Sequence, residues 1–337
     1  MELNKNQILF LSDKQVEELV PSEKVLELTE QSFVEYASNQ AVNPVKLHLP
    51  IYPDYEGYIN SMPAYLRRLK IAGAKIVSVY RDNIKKFQLP STIGTVLLHD
   101  PETGKPYSIM GGTYITSART GAVMGVMAKY TVKKGARSLT IIGAGAQGYS
   151  AFIMISLAVP TIDEIRVVDI REEAQDNFIS KAKEVFPDKE YKKVSSIQDA
   201  CDGCDVVLAA ATSEKPLLTD IDFAKGSTVL IIEEDFGNTF IKKFDQFVGD
   251  FRECLVERIN ADAFHHCELT GEPFDELTMD SVTAEIGDII VGKAQGRTSD
   301  DEIILAASVG MGIQDIIVGR EAYDKAMEIE VGTILDF

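Results

Sequence analysis

Basic residues are scarce in this chain: Lys and Arg total 34 against 52 Asp and Glu, a formal net charge of −18. A surface so rich in carboxylates repels nucleic-acid phosphates and anionic lipid headgroups, so neither nucleic acid nor membrane is expected as a partner. Cysteine is also sparse. Cys201, Cys204, Cys254 and Cys267 are too few for a disulfide scaffold in 337 residues and suit a reducing compartment. Long apolar runs are missing as well. The chain opens on a short apolar stretch, Ile8 to Leu11, too brief for a signal-peptide core. Even Val206 to Ala211 is strand-length, far from the ~20 apolar residues that span a bilayer. A cytoplasmic location is expected. At 337 residues the chain is long enough to bury a sizeable core, which excludes a fibrous or disordered chain, and without repeats or low-complexity tracts its organisation must be read from changes of pattern.

What is present is a globular composition, 45% hydrophobic and 26% charged, in a chain long enough for about two domains. Ser12 followed by Gln15 predicts a capping box, and Ser22 is expected to cap a second helix carrying Val25, Leu26, Phe33 and Tyr36. From Val45 to Gly112 the pattern turns extended, with strands at Ala74 to Tyr80, Thr92 to His99 and Tyr107 to Met110, the last two joined by a turn through Asp100-Pro101-Glu102-Thr103-Gly104. This reads as an antiparallel sheet. Small and apolar residues between Ser117 and Val132 predict a bridging helix. Short apolar strands then alternate with helices: Leu139 to Ile142, Ile165 to Val168, Val206 to Ala210 and Val229 to Ile232. Such runs mark a parallel sheet buried on both faces. The amphipathic segment Ile313 to Ile329 has no place on that sheet and is expected to return to the N-terminal domain.

Gly143-Ala144-Gly145-Ala146-Gln147-Gly148 follows the strand ending at Ile142 and opens a helix. In this context the first glycine permits the tight turn, the second admits a pyrophosphate to the backbone, and the third allows close packing. Asp169 ends the next strand about 20 residues past the last glycine, where a carboxylate would accept the adenosine ribose hydroxyls. A glycine turn in a nucleotide-free α/β domain is the bland alternative. The order of strand, glycines, helix and acid favours NAD over NADP, because Asp169 repels a 2′-phosphate, although Arg171 would partly accommodate one.

Among the basic residues that precede the glycines, three are candidates: Lys46, Lys75 and Arg119. Most such side chains are solvated surface charges. Lys75 departs from that rule because its strand neighbours are apolar, so it must snorkel or meet an anionic ligand. Asp235, in the run Glu233-Glu234-Asp235-Phe236-Gly237, follows a parallel strand, where carboxylates face the cofactor crevice; a solvated acidic loop is the alternative. Cys201-Asp202-Gly203-Cys204 has metal or redox spacing but no second pair, and His265-His266-Cys267 would splay around a helix, so no metal is expected.

The sequence resembles the ornithine cyclodeaminase/mu-crystallin family over nearly its whole length. The segments that carry the likeness are Ser61-Met62-Pro63-Ala64, Gly73-Ala74-Lys75, Leu89-Pro90-Ser91-Thr92, Thr116-Ser117-Ala118-Arg119-Thr120-Gly121-Ala122, the glycine motif, 296–303 and Ser308-Val309-Gly310. The resemblance implies a Rossmann-type doubly wound parallel sheet, residues 136–313, inserted into an α+β substrate-binding and dimerisation domain, residues 1–135 plus 314–337, in a homodimer. It further implies that Lys75, Arg119 and Lys46, the last standing where an arginine is usual, bind a substrate α-carboxylate, with Met62 and Val309 beside the substrate. Lysine offers no planar fork to a carboxylate, so the third contact or the substrate differs. Ser91, Arg119, Thr120, Gly143, Gly145, Ala146, Gln147, Gly148, Asp169, Thr212 and Ser308 would hold NAD, and Asp235 would be the catalytic acid/base alongside Lys75. The residues after Asp235 depart from the family's Asp-x-Pro-Gly-Lys pattern, having Gly237, Asn238 and Thr239.

The activity implied first is NAD-dependent conversion of L-ornithine to L-proline and ammonia by hydride removal, cyclisation and hydride return. Net redox by an alanine-type amino-acid dehydrogenase or a cyclic-ketimine reductase is the alternative, and a non-catalytic mu-crystallin-like ligand binder is the third. The implied partner is a small amino acid or cyclic imine.

Overall fold

The computed structural model describes the chain except residues 1–2, 212, 214–215, 233–235, 237 and 271–274, and the side chains of 262–270. Its helices begin as the local chemistry dictates. Gln15 N–H donates to the Ser12 hydroxyl at 3.3 Å and Ser12 N–H donates to Gln15 Oε1 at 2.9 Å, closing the expected capping box on helix Asp13–Leu19. Ser22 is not the cap of the next helix, Ser22–Ala37. Pro21 holds that position in extended conformation, and its missing N–H is harmless where the first helical donors lack partners anyway.

The chain divides into two units: Met1–Arg119 with Met311–Phe337, and Thr120–Gly310. Helix Thr113–Thr131 runs through the first division, so the boundary falls inside it between Arg119 and Thr120, whereas residue 135 lies beyond its end. The second division follows Gly310, a few residues before 314.

In the first unit an eight-stranded sheet has the order Thr333–Asp336, Gln7–Leu11, Pro106–Gly111, Thr92–His99, Ile71–Val79, Tyr58–Leu66 and Ala41–Val42, with Leu47–Pro50 also paired to Tyr58–Leu66. The central strands are antiparallel, as the alternation predicts, and Gln7–Leu11 joins Pro106–Gly111 in parallel. Register places Met62, Lys75, Val96 and Met110 in one row across four strands, all buried. Helix Gly312–Ile329 packs on these strands and on Ser22–Ala37, so the C-terminal segment does return to the N-terminal one.

The second unit holds a Rossmann-type sheet whose strands all run parallel: Glu190–Lys193, Glu164–Val168, Ser138–Ile142, Val206–Ala209, Thr228–Ile232, Ile304–Ser308, Gln246–Gly249 and Ala284–Glu285. Every residue of Ser138–Ile142, Val206–Ala209 and Ile304–Ser308 is buried, which requires cover on both faces and explains why these strands are mostly apolar. Strand order reverses at Ser138–Ile142, flanked by its successor Glu164–Val168 on one side and Val206–Ala209 on the other. Doubly wound sheets bind ligands at the carboxyl ends of the strands beside such a point. Among the described residues, no helix is long and apolar enough to cross a membrane.

The glycine motif sits at this switch. Gly143 has φ +99°, and a Cβ there would meet Ala211 Cα at 2.7 Å. A Cβ on Gly148 would lie 2.0 Å from the Gly143 carbonyl oxygen, so helix Ala146–Ala158 reaches the strand end only without a side chain at that position. Gly148→Ala is therefore expected to destabilise the second unit by about 1–3 kcal/mol, the usual range for overpacking. A lower denaturation midpoint in urea checks this, and an unchanged midpoint would show that helix and turn have room to separate.

Candidate active site

Lys75 lies on the inward face of Ile71–Val79 and is fully buried. It does not snorkel, and an acid of the chain itself meets it. Its ammonium donates to Asp315 Oδ1 at 2.8 Å, and Arg119 Nε donates to the same oxygen at 3.0 Å. Arg119 Nη1 also reaches Gln314 Oε1 at 3.4 Å. Asp315 and Gln314, both fully buried, escaped the sequence reading. The available signal was an amide and an acid interrupting the apolar run Ile313 to Val318 at the start of a helix.

Burial drives the Lys75 ammonium down to about 7; Arg119 pushes the same way, Asp315 opposes, and Lys46 adds a weaker downward push. Lys46, half-buried just before strand Leu47–Pro50, thus feels the same cluster. Met62 stands directly opposite Lys75 on the neighbouring strand. The first unit therefore gathers Lys46, Met62, Lys75 and Arg119. Ser91, also in that unit, precedes strand Thr92–His99, and its carbonyl accepts the Tyr80 N–H at 2.8 Å.

In the second unit Gly145 caps helix Ala146–Ala158, and a Cβ built on it meets nothing within 4 Å. The exposed backbone of Gly145 and Ala146 at this helix N-terminus is a cradle suited to an anion. Gln147 Oε1 is buried beside it with no hydrogen-bond partner among the described residues. Asp169 ends Glu164–Val168 and accepts the Ala144 N–H at 2.9 Å through Oδ2 and the Arg171 N–H at 2.9 Å through Oδ1. Although burial pushes the Asp169 carboxyl upward, these N–H groups and the Arg171 guanidinium together hold it below the usual carboxylate range. A cavity of about 310 Å³ beside it is lined by Ala144, Arg171, Glu173, Ala174 and Asn177. Glycine cradle, helix terminus and ionised acid fit a dinucleotide. Thr120 is buried on the bridging helix.

Ser308 and Val309 owe their placement to another residue that sequence reasoning missed. Asp250, fully buried, accepts the Ser308 hydroxyl at 2.6 Å, the Val309 N–H at 3.1 Å and the Gly310 N–H at 2.7 Å. Thr212 and Asp235 lie outside the described residues, as do the side chains of His265, His266 and Cys267. Cys204 is buried and donates to the Val206 carbonyl, while burial pushes the Cys201 thiol up to about 12, so both act as core residues. Arg297 donates to the carbonyls of Thr131 at 2.7 Å, Ser227 at 3.1 Å and Glu302 at 2.6 Å, which makes its segment a clasp within the second unit.

A sequence model of the ornithine cyclodeaminase/mu-crystallin family matches residues 6–330, and the chain belongs to that family. It is 31% identical over 340 residues to an alanine dehydrogenase of Archaeoglobus fulgidus, covering 98% of each chain. The structure of Thermococcus litoralis Δ1-pyrroline-2-carboxylate reductase, in complex with NADH and L-proline, matches with a TM-score of 0.87 at 30% identity over 97% of this chain and 99% of that one. An archaeal alanine dehydrogenase dimer with bound NAD matches with a TM-score of 0.87 at 29% identity, covering 98% and 99%.

The Asp250 network makes a separate prediction. Asp250→Ala removes the acceptor shared by the Ser308 hydroxyl and the Val309, Gly310 and Phe251 N–H groups; a buried donor left unpaired costs about 1–3 kcal/mol, and the variant is expected to lose roughly 2–4 kcal/mol after partial relaxation. Asp250→Asn keeps one acceptor oxygen and should lose less. Equal loss for both in chemical denaturation would show that charge, not the hydrogen bonds, anchors the loop.

Proposed function

We propose that this protein is an NAD(H)-dependent oxidoreductase that interconverts a small α-amino acid, open-chain or cyclic, with its imine. One observation carries the reading: two buried cationic side chains, Lys75 and Arg119, share a single buried carboxylate, leaving one net positive charge beneath the protein surface while Lys75 is protonated. Buried charge of this kind calls for an anionic partner, and a substrate α-carboxylate supplies it. The full-length similarity to an alanine dehydrogenase and a pyrroline-2-carboxylate reductase supports the same chemistry. The chain is an enzyme of the amino-acid and imine class to which its relatives belong, and NAD is its cofactor.

NAD(H), when bound, supplies the acceptor or donor of a hydride. In this reading Gly143, Gly145, Ala146, Gln147 and Gly148 hold its pyrophosphate and Asp169 its ribose, with Ser91, Arg119, Thr120, Thr212 and Ser308 making the remaining contacts. Lys75 and Arg119 orient the substrate carboxylate, Lys46 adds positive charge, Met62 and Val309 wall the substrate, and Asp235 takes or returns the proton at nitrogen. Fixing one end of a small substrate in this way restricts the approach of its reacting carbon, the main contribution of positioning to catalysis. Exposed Leu47, Leu49, Ile76 and Ile93 in the first unit's sheet support a homodimer formed through that unit.

Cyclodeamination of L-ornithine is the second reading, favoured by the match of Asp235 to the family's acid/base. A panel of alanine, proline, ornithine, lysine and cyclic imines with NAD(H) and NADP(H) separates the two. Steady change in NADH absorbance with one substrate is the expected result. Ammonia release from ornithine without net NADH change would replace it with the second reading, and tight NADH binding without turnover would leave a ligand-binding protein. Asp169→Ala should weaken NADH binding by about 10- to 100-fold, since hydrogen bonds to a charged group contribute about 1.5–3 kcal/mol, and should lose discrimination against NADPH. Fluorescence titration with both nucleotides checks it; an unchanged ratio removes Asp169 from the ribose site.

A further inference from the structure

Lys75 and Arg119 come from different elements, a strand and the bridging helix, yet both donate to one oxygen, Asp315 Oδ1, at 2.8 and 3.0 Å. The amide next to it is fixed in orientation: Gln314 Oε1 accepts from the Met311 N–H at 3.1 Å and from Arg119 Nη1 at 3.4 Å. That arrangement leaves Gln314 Nε2 a buried donor, and Asp315 Oδ2 a buried acceptor, with no hydrogen-bond partner among the described residues. Unpaired buried polar atoms are rare in folded proteins and point to a ligand or to a charge that the site keeps in reserve.

We propose that Asp315 is the positioning residue of the carboxylate anchor: it holds the Lys75 ammonium and the Arg119 guanidinium together on one oxygen and sets the anchor at one net positive charge, matched to a single substrate carboxylate. The inference rests on reading Lys75 and Arg119 as that anchor. Without the acid, two buried cations would repel, and the lysine, the only one of the two able to lose its proton in water's working range, would give way.

The charged groups acting on Lys75 are Arg119 from the bridging helix, Asp315 from the last helix and Lys46 from the segment before Leu47–Pro50. Its row neighbours Met62 and Val96 carry no charge. Of the three charged groups only Asp315 favours the protonated lysine. The sign of the pH dependence follows. Below about 7 Lys75 is charged and the anchor attracts a carboxylate; as pH rises through that value the proton leaves and affinity falls. Removing the negative charge of Asp315 has two opposite effects. It strengthens the pull of both cations on an anion while Lys75 is protonated, and it makes Lys75 lose its proton at lower pH.

The test compares the parent with Asp315→Asn, which keeps the shape and an acceptor oxygen. Calorimetric binding of pyrrole-2-carboxylate, a planar monocarboxylate, is followed across the pH range in which both proteins stay folded. The affinity profile of the variant is expected to fall off roughly one to three units lower, the usual effect of removing an adjacent opposite charge, and to cross that of the parent. A merely structural role for Asp315 would lower affinity at every pH without moving the profile, and that result would overturn the proposal. Lysine labelled with carbon-13 at Cε, with the Lys75 signal assigned by its absence in Lys75→Met, reports the titration of Lys75 directly and without ligand. A Lys75 titration unmoved by Asp315→Asn would also overturn it. Failure of the parent to bind pyrrole-2-carboxylate while Lys75 still titrates under the control of Asp315 would instead refute the carboxylate-anchor reading. Should Asp315→Asn not fold, Asp315→Ser removes the same charge with a smaller side chain.

Discussion

An ion buried in a protein must be paired, and in this chain the pairing of Lys75 governs how the first unit is assembled. Its row across the sheet consists of Met62, Val96 and Met110, none of which can accept a hydrogen bond strong enough to offset the loss of water around an ammonium. The required carboxylate arrives on a helix 240 residues later in the chain. The same helix covers the strands, so the segment that closes the sheet over its core also brings the lysine its counter-ion. The N-terminal and C-terminal segments therefore form a single unit, with everything between Thr120 and Gly310 enclosed in the sequence between its two parts.

The second unit works by different means. Where the first uses side-chain charges, the second uses backbone groups: an exposed helix terminus at Gly145 and Ala146, a tight turn at Gly143, and N–H groups that Asp169 draws together with its carboxylate. Asp250 extends the same principle to the far side of the sheet's centre. Its carboxylate accepts the Ser308 hydroxyl at the end of strand Ile304–Ser308 and the two backbone N–H groups that follow, so the chain leaving the strand is tied down by charge-assisted hydrogen bonds. Orientation by such preformed groups is what a hydride-transfer site needs, since its chemistry depends on distance more than on a strong acid or base.

Membership of the ornithine cyclodeaminase/mu-crystallin family leaves two reaction outcomes that share their first step. In both cases the hydride at Cα would pass to NAD and a proton would leave nitrogen, giving an imine. Whether the imine leaves, or is attacked by a second amine on the same substrate, depends on the substrate's length and on the group near its distal end. The proposed carboxylate anchor would serve both outcomes, since an α-carboxylate is present in either substrate.

Local patterns were readable from the sequence because their physics is local. The Ser12 and Gln15 capping box, the alternation along Thr92–His99, the apolar strands of the parallel sheet and the spacing from Gly143 to Asp169 each involve residues that meet through a turn or a repeat of the backbone, and the structure has all of them. Lys75 was recognisable as anomalous for the same reason, a charge among apolar neighbours. Its partner was not. Nothing in the periodicity of Ile313 to Val318 indicates which strand will lie beneath it, so only the folded chain brings Asp315 to Lys75 and Arg119. Strands Ile304–Ser308 and Thr333–Asp336 went unnoticed because short runs take their identity from neighbours already in place. Asp250 meets its loop across about sixty residues by the same route. Composition and spacing determined the class of fold and the nucleotide motif, while the charge balance around Lys75, Arg119 and Asp315 was decided by tertiary packing, because ions pair according to distance in space and not along the chain.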